Sequence, residues 1–211
     1  MRVLVACEFS GIVRRAFRAL GHDAWSCDLL DAEDNDAHHI VGDALDTAAA
    51  FKPDLMIAHP PCTFLTNAGV RWLYLDGRKV NGPDPVRWKS MNAAVEFFKK
   101  CQAVDVPRLA VENPIPHGHA NLGRPTQIVQ PWMFGHKEIK ATCFWLKGLK
   151  PLVETDNVYA GTMALPYAQR ALVHYASPGP DRWQERSRTL PGIAAAMAEQ
   201  WTILPKDPAH D

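Results

Sequence analysis

The chain has 211 residues, and its 23 basic and 23 acidic side chains give a formal net charge of zero. Hydrophobic residues make up 47% and charged residues 22%, which is typical of one globular domain with a sizeable core. Apolar runs stay well short of the roughly 18 residues of a membrane span, and no signal peptide is evident, so we expect a cytoplasmic protein. The five cysteines form no Cys-x-x-Cys pair, which argues against a disulfide framework and a zinc site.

The zero net charge conceals a local asymmetry. Residues 1–63 carry 5 basic and 10 acidic side chains, whereas residues 64–102 carry 7 basic and 3 acidic ones. The remaining residues, 103–211, are nearly balanced. Because a basic stretch can meet phosphate and an acidic one can hold a cationic ligand, the neutral total does not exclude a nucleic-acid partner.

Apolar runs alternate with helix-compatible segments along the first half of the chain. The predicted strands cover 2–7, 24–28, 39–41, 54–58 and 108–112, and the predicted helices cover 12–20, which ends at Gly21, and 90–103. This rhythm predicts an α/β fold: a Rossmann-like, doubly wound, mostly parallel sheet with flanking helices. The later pattern is less regular, with a strand predicted over 142–146 and a helix over 193–201.

The residues that follow each strand are the first candidates for ligand binding, because doubly wound sheets bind ligands beyond the carboxyl ends of their strands. The first strand leads into Glu8-Phe9-Ser10-Gly11, the second ends at Asp28, and the third leads to Asp43. Carboxylates there can accept hydrogen bonds from a ribose and an amine but suit a pyrophosphate poorly, and a full Gly-x-Gly-x-x-Gly is absent. The pattern favours S-adenosylmethionine over a nicotinamide dinucleotide; ordinary turn and surface residues are the alternative.

Cys62 is the candidate nucleophile. It follows the fourth strand in the sequence His59-Pro60-Pro61-Cys62, in which the two prolines stiffen the backbone and offer no N–H. A thiol that follows such a rigid backbone segment, at the end of the strand where ligands bind, is suited to nucleophilic attack. The alternative is a small buried hydrophobe, which we assign to the other four cysteines.

Glu112-Asn113-Pro114, at the end of the fifth strand, supplies the second half of the chemistry. Carbon C6 of cytosine is a poor electrophile until N3 is protonated or strongly hydrogen-bonded. A thiolate that adds to C6 therefore needs a carboxyl group at the Watson–Crick edge of the base. Addition turns C5 into an enamine carbon that can attack a sulfonium methyl group.

These motifs together resemble those of the DNA cytosine-5 methyltransferases, and the chain looks like a small, phage-type member. The matching motifs, in the family's order and rough spacing, are Phe9-Ser10-Gly11, Asp28, Gly42-Asp43, Pro60-Pro61-Cys62 and Glu112-Asn113-Pro114. The resemblance covers residues 1–115 and implies S-adenosyl-L-methionine as cofactor. It implies that Phe9 lies against the adenine, Asp28 bonds the ribose and Asp43 accepts from the adenine amine. Cys62 would attack C6 and Glu112 would bond N3.

The chain departs from the family pattern at several places. Thr63 replaces the usual Gln after the cysteine, and Pro114 replaces the usual Val. The family's Gln-x-Arg-x-Arg segment has no clean match, and Arg186-Ser187-Arg188 is the candidate for it. Residues 192–198 resemble the closing helix, but the length leaves no room for the separate target-recognition domain that typical members carry before it.

The resemblance divides the single predicted domain into functional parts. We expect a cofactor-binding half at 1–62, a basic catalytic loop at 63–90, a catalytic half at 91–150, and an irregular segment with the closing helix at 151–211. The loop would close over a flipped base, with Arg71 and Arg87 contacting phosphates. The alternative is a solvated loop that tryptophans anchor to the core.

We assign the cofactor site to Glu8, Phe9, Ser10, Gly11, Asp28, Asp43 and Pro60, and substrate contacts to Thr63, Arg71, Arg87, Asn113, Arg186 and Arg188.

The predicted function is methyl transfer from S-adenosyl-L-methionine to C5 of cytosine, with DNA as the expected partner, in a bacterial or phage-infected cell. The same chemistry on a nucleotide, an RNA or a modified base is one alternative, and an inactive nucleic-acid or nucleotide-binding module is another. A hydrolase that uses Cys62 with His59 or His136 is a more distant one. The role of His59 stays open between packing, tuning of the thiol and contact with the cofactor, and a homodimer is possible.

Overall fold

The computed structural model describes residues 1–175, 179 and 182–203, which fold around one seven-stranded sheet. The strands are β1 (Arg2–Ala6), β2 (Asp23–Asp28), β3 (His39–Val41), β4 (Leu55–Ala58), β5 (Arg108–Pro114), β6 (Gln127–Val129) and β7 (Thr142–Lys147). The helices are α1 (Ile12–Ala19), α2 (Ala44–Phe51), α3 (Pro85–Gln102), α4 (Tyr159–Met163), α5 (Tyr167–Arg170), α6 (Leu172–Tyr175), α7 (Arg182–Ser187) and α8 (Pro191–Trp201).

The strand order is β3-β2-β1-β4-β5-β7-β6. Strands β1 to β5 are mutually parallel, and β7 runs antiparallel to both β5 and β6. This is the doubly wound order 3-2-1-4-5-6 with one antiparallel strand inserted near the edge. The predicted fold class is confirmed. The order reverses between β1 and β4, so a crevice forms beyond the carboxyl ends of these strands.

Both faces of the sheet are covered. Side chains such as Val5 and Ile57 pack with α1 and α8 on one face. Their neighbours Leu4 and Met56 pack with α2 and α3 on the other. Burial on both faces explains why β1 and β4 are continuous apolar runs in the sequence rather than alternating ones.

The start of α3 differs from the prediction. The helix begins at Pro85, within the segment expected to be loop, because Asp84 caps it by accepting hydrogen bonds from the N–H groups of Val86 and Arg87. A proline at the first helical position suits this start, since it has no N–H to leave unsatisfied. Arg87 therefore lies on the first turn of a helix, and the loop before it folds into three short 3-10 turns at Asn67–Leu73, Leu75–Gly77 and Lys79–Asn81.

Helix α2, strand β6 and the short helices α4 to α7 were not predicted from the sequence. In addition, the helices of the part of the chain that the structure describes are all too short or too polar to cross a membrane.

Candidate active site

A cleft opens where the ends of β1, β4 and β5 meet, and it measures about 570 Å³ with its open mouth included. A second cleft of about 310 Å³ adjoins it and shares the walls formed by Glu112, Lys140 and residues 187–189. The larger cleft is lined by Cys7, Glu8, Phe9, Ser10, His59, Pro60, Pro61, Cys62, Glu112, Pro114, Lys140, Arg186, Ser187, Arg188 and Thr189. Both predicted catalytic residues and four predicted cofactor residues thus lie in one cleft.

Strand register explains why residues so far apart in sequence meet there. Ala58 of β4 aligns with Val111 of β5, so His59 and Glu112 are the next pair along the two strands. Because side chains alternate along a strand, both lie on the face that α1 and α8 cover. The His59 Nδ1 atom is 3.4 Å from Oε2 of Glu112.

Glu8 is buried, and its carboxylate accepts hydrogen bonds from the first turn of α1. Its Oε1 accepts a hydrogen bond from the N–H of Val13 at 2.6 Å, and its Oε2 accepts one from Arg14 at 3.2 Å. Burial raises the pKa of this carboxyl, although nearby His59 and the two N–H groups act in the opposite direction. The N-terminus of α1, where a doubly wound fold can hold a pyrophosphate, is therefore already occupied by a carboxylate.

Gly11 is required by the geometry of the same loop. It stands in the left-handed region at φ 66° as the residue before α1. A Cβ atom here would approach a guanidinium nitrogen of Arg14 to 2.5 Å. The turn that carries Glu8 and Ser10 into the cleft thus needs a residue without a side chain at this point.

Burial raises the pKa of the Cys62 thiol, and the negative charge of Glu112 adds to this effect. Lys140 and Arg186 oppose it with positive charge. The resting state is therefore a neutral thiol whose ionisation depends on the charges of three neighbours.

Lys140 is a charged residue of the cleft that was not predicted from the sequence. Burial lowers the pKa of its ammonium, while Glu112 and Cys62 act to raise it. Its Nζ donates a hydrogen bond to the carbonyl of Arg188 at 2.9 Å. No motif marks Lys140, because it belongs to an irregular polar stretch just before β7.

The segment from α7 to α8 forms the remaining wall. Arg186 and Arg188, predicted as substrate contacts, both line the cleft. Arg188 also pairs with Glu33 at 2.6 Å, so it ties this segment to the loop after β2. The ring of Phe9, predicted to lie against an adenine, is 5.6 Å from the ring of Trp183.

Asp28 and Asp43, assigned to the cofactor, lie outside both clefts. Oδ1 of Asp28 accepts a hydrogen bond from the N–H of Leu30, and Oδ1 of Asp43 caps α2. Local backbone contacts thus use one oxygen of each carboxylate.

The other predicted substrate residues also lie outside the clefts. Thr63 is exposed, and Asn113 is fully buried with its Nδ2 donating to the carbonyl of Pro114. The guanidinium of Arg71 lies over the ring of Trp72 at 4.6 Å, and that of Arg87 over Phe64 at 5.5 Å. Their contact with a substrate stays a prediction.

Among residues 1–175, 179 and 182–203, no group of three or more His, Cys, Asp and Glu side chains comes together in a way that could hold a metal ion.

Comparison with known proteins finds similarity among solved structures but not in sequence. No protein-family model matches the chain, and no curated protein matches it in sequence. Among solved structures, it is similar to a protein provisionally described as a DNA modification methyltransferase and encoded within an E. coli prophage. The TM-score is 0.42 at 14% identity, and the match covers 69% of this chain and 46% of the other, so the chain spans about half of that protein.

Proposed function

We propose that the protein transfers a methyl group from S-adenosyl-L-methionine to C5 of cytosine in DNA through a transient adduct on Cys62. The observation that carries the proposal is that Cys62 and Glu112, fifty residues apart in sequence, line one cleft together with the loop after β1. A thiol and a carboxyl group are the two side chains that C5 methylation of cytosine requires.

The loop after β1 fits this cofactor better than a dinucleotide. The carboxylate of Glu8 already accepts hydrogen bonds from the N–H groups of Val13 and Arg14 in the first turn of α1, and a pyrophosphate brought there would meet a buried carboxylate. S-adenosyl-L-methionine has no phosphate, and when bound it supplies an electrophilic methyl group on a cationic sulfur. Glu8, Phe9, Ser10 and Pro60 would hold it in the cleft, with Asp28 and Asp43 at the nucleoside end.

The protonation state of Glu112 links the two halves of the reaction. A proton on Glu112 removes the negative charge that opposes ionisation of Cys62, and the same proton is available to N3 of the base. In the reaction the Cys62 thiol would give up its proton to solvent as the bond between Sγ and C6 forms, and N3 would take the proton from Glu112. C5 would then gain the methyl group as the bond between that methyl and the sulfonium sulfur breaks, which leaves a neutral thioether. C5 next loses its proton to a base. The S–C6 bond breaks, and N3 returns its proton to Glu112.

DNA as the substrate is supported by unpaired cations beside the nucleophile. In the described part of the chain, the carboxylates all lie more than 4 Å from the five cations of residues 63–90, which are Arg71, Arg78, Lys79, Arg87 and Lys89. Such groups can neutralise phosphates without first breaking an ion pair. The Arg71–Trp72 stack adds an aromatic surface of the kind on which bases stack.

Covalent trapping tests the proposal. Duplex DNA that contains 5-fluorocytosine is incubated with the protein and S-adenosyl-L-methionine. The fluorine at C5 cannot leave as a proton does, so we expect a denaturation-resistant complex. Cys62→Ser should abolish the complex but still bind the cofactor. Cys7→Ser is the matched control, because Cys7 lines the same cleft without two prolines before it, and it should still form the complex.

Three outcomes would contradict the proposal: no complex with the unaltered protein, an undiminished complex with Cys62→Ser, or no cofactor binding by calorimetry. Incubation with labelled cofactor followed by nucleoside mass analysis identifies the substrate. Label in 5-methylcytosine from DNA supports it, whereas label only in an added mononucleotide or RNA favours the alternative substrates.

A further inference from the structure

His59 stands directly after β4, between two carboxyl groups. Its backbone N–H donates to the carbonyl of Ala6 at 2.9 Å, so the β1–β4 ladder continues one residue beyond the strand and fixes the base of the side chain. Glu112 lies on the β5 side, and Glu8, whose pKa His59 helps to lower, belongs to the loop after β1. With 10% of its side chain exposed, the ring has little freedom to reorient.

The two ring nitrogens have different surroundings. Nδ1 lies 3.4 Å from Oε2 of Glu112. Nε2 is buried, and within the described part of the chain it has no hydrogen-bond partner. A histidine that serves only packing normally has both nitrogens satisfied. Because His59 lines the cleft, a bound ligand is the natural source of the missing partner.

We propose that His59 is a positioning residue for Glu112 and that its Nε2 accepts a hydrogen bond from an N–H group of the bound ligand. A proton on Nδ1, donated to Oε2 of Glu112, leaves a lone pair on Nε2 and directs the ring toward the cleft. The carboxyl group then keeps one oxygen fixed and presents Oε1 to the substrate. The effect of His59 on methyl transfer rests on the proposed function, whereas the hydrogen bond between His59 and Glu112 does not.

The cleft offers a reason for such an anchor. Glu112 is the last charged residue of β5, and its side chain is 17% exposed. A carboxyl group that must meet N3 of a ring in one orientation loses efficiency if it can rotate, and partners that orient a reactive group are typically worth 10- to 100-fold. The ligand N–H is either the exocyclic amine of cytosine or the ammonium of the methionyl part of the cofactor, which share one chemistry.

The tautomer of His59 gives a test that needs no reaction. In ¹⁵N spectra of histidine-labelled protein at alkaline pH, we expect the proton of His59 on Nδ1, and we expect this preference to disappear in Glu112→Ala. His119, which contacts Tyr74 and Trp88 instead, is the internal control and should not change. A proton on Nε2 in the unaltered protein, or a tautomer that ignores the loss of Glu112, would overturn the proposal.

Ligand addition to the same sample identifies the N–H donor. A change of the Nε2 resonance with S-adenosyl-L-methionine alone assigns the donor to the ammonium. A change only after cytosine-containing DNA is added assigns it to the base. If neither addition moves the resonance, Nε2 does not accept from a ligand.

Kinetics then separate positioning from mere packing. His59→Ala should lower kcat by about 10- to 100-fold. If the donor is the base, the cofactor Kd should change by less than about 3-fold, and if the donor is the ammonium, it should rise by more than that. His59→Asn keeps an N–H near the position of Nδ1 and should restore kcat to within about 5-fold. Equal losses of kcat in both variants, or a loss of thermal stability in both, would show a structural role only. If the unaltered protein transfers no methyl group, the proposed function fails, and the tautomer still decides whether Glu112 holds His59.

Discussion

The basic side chains of the acidic first segment, residues 1–63, and those of the basic loop, residues 63–90, differ in whether they pair with carboxylates. Within residues 1–63, Arg2, Arg14 and Arg15 each lie within 4 Å of a carboxylate. The side chain of Arg14 is fully buried and bonds both Asp34 and Ser26. In residues 63–90, by contrast, the five cations have no partner among the carboxylates that the structure describes, and Arg78 and Lys79 are exposed. Charges of the first kind hold the fold together, whereas those of the second kind remain available to another molecule.

Removal of Arg14 should have the largest effect on stability. Burial alone would raise the pKa of Asp34, but the hydrogen bonds from Arg14 and Arg15 outweigh it and hold that pKa below its ordinary value. We expect Arg14→Ala to cost about 3–5 kcal/mol in the free energy of unfolding, because it removes a fully buried side chain together with its hydrogen bonds to Ser26 and Asp34. Arg15→Ala, at a half-exposed site on the same carboxylate, is the control and should cost no more than about 1 kcal/mol. Equal losses, measured by urea denaturation, would contradict the structural role of Arg14.

The double variant Arg78→Ala, Lys79→Ala should affect binding rather than stability. We expect DNA affinity to fall by about 10-fold at low salt, and the slope of log Kd against log salt concentration to fall by about 2. The free energy of unfolding should change by less than about 0.5 kcal/mol, because both side chains are exposed and unpaired. Arg124→Ala, Lys150→Ala removes two exposed cations elsewhere and is the control. An unchanged salt slope in the loop variant would show that the loop does not meet phosphate.

The smallest expected effect is the pH dependence that Glu8 contributes. Because burial raises its pKa above the ordinary value of 4.5, the folded protein holds this proton more tightly than the unfolded chain does. Its contribution to stability is therefore present at low pH and is lost as pH rises through the raised value. Glu8→Gln keeps an oxygen that can accept a hydrogen bond from α1, but its amide does not titrate. The free energy of unfolding of this variant should therefore rise relative to that of the unaltered protein as pH rises, by no more than about 1 kcal/mol.

Glu96 provides a control of opposite sign for this measurement. The hydrogen bond from Lys100 lowers the pKa of this exposed carboxyl group, so its contribution is lost as pH falls. Thermal unfolding at a series of pH values compares Glu8→Gln and Glu96→Gln with the unaltered protein. A trend of the same sign in both would count against the burial argument for Glu8.

The parallel core and half of the cleft followed from local sequence. Apolar runs mark β1, β4 and β5, and the residues after them lie at one edge because parallel strands end there together. The sequence therefore predicted that Glu8, Cys62 and Glu112 lie in the same region. Strand β6 and helices α4 to α7 were missed because they are short, and α2 was missed because its alanine-rich sequence shows little apolar periodicity. The early start of α3 depends on the cap at Asp84.

The residues that form the other half of the cleft could be identified only from the tertiary structure. Lys140 reaches the cleft because β7 is antiparallel to β5 and pairs Thr142 with Pro114, which puts the residues before β7 beside the ligand end of β5. Arg186 and Arg188 reach it because α8 packs on the α1 face and carries the segment before it over the same edge. The sequence by itself determined which chemistry follows each parallel strand, since that depends on neighbours along the chain. The partners of His59, Glu112 and Cys62 come from register and helix packing, which only the folded chain decides.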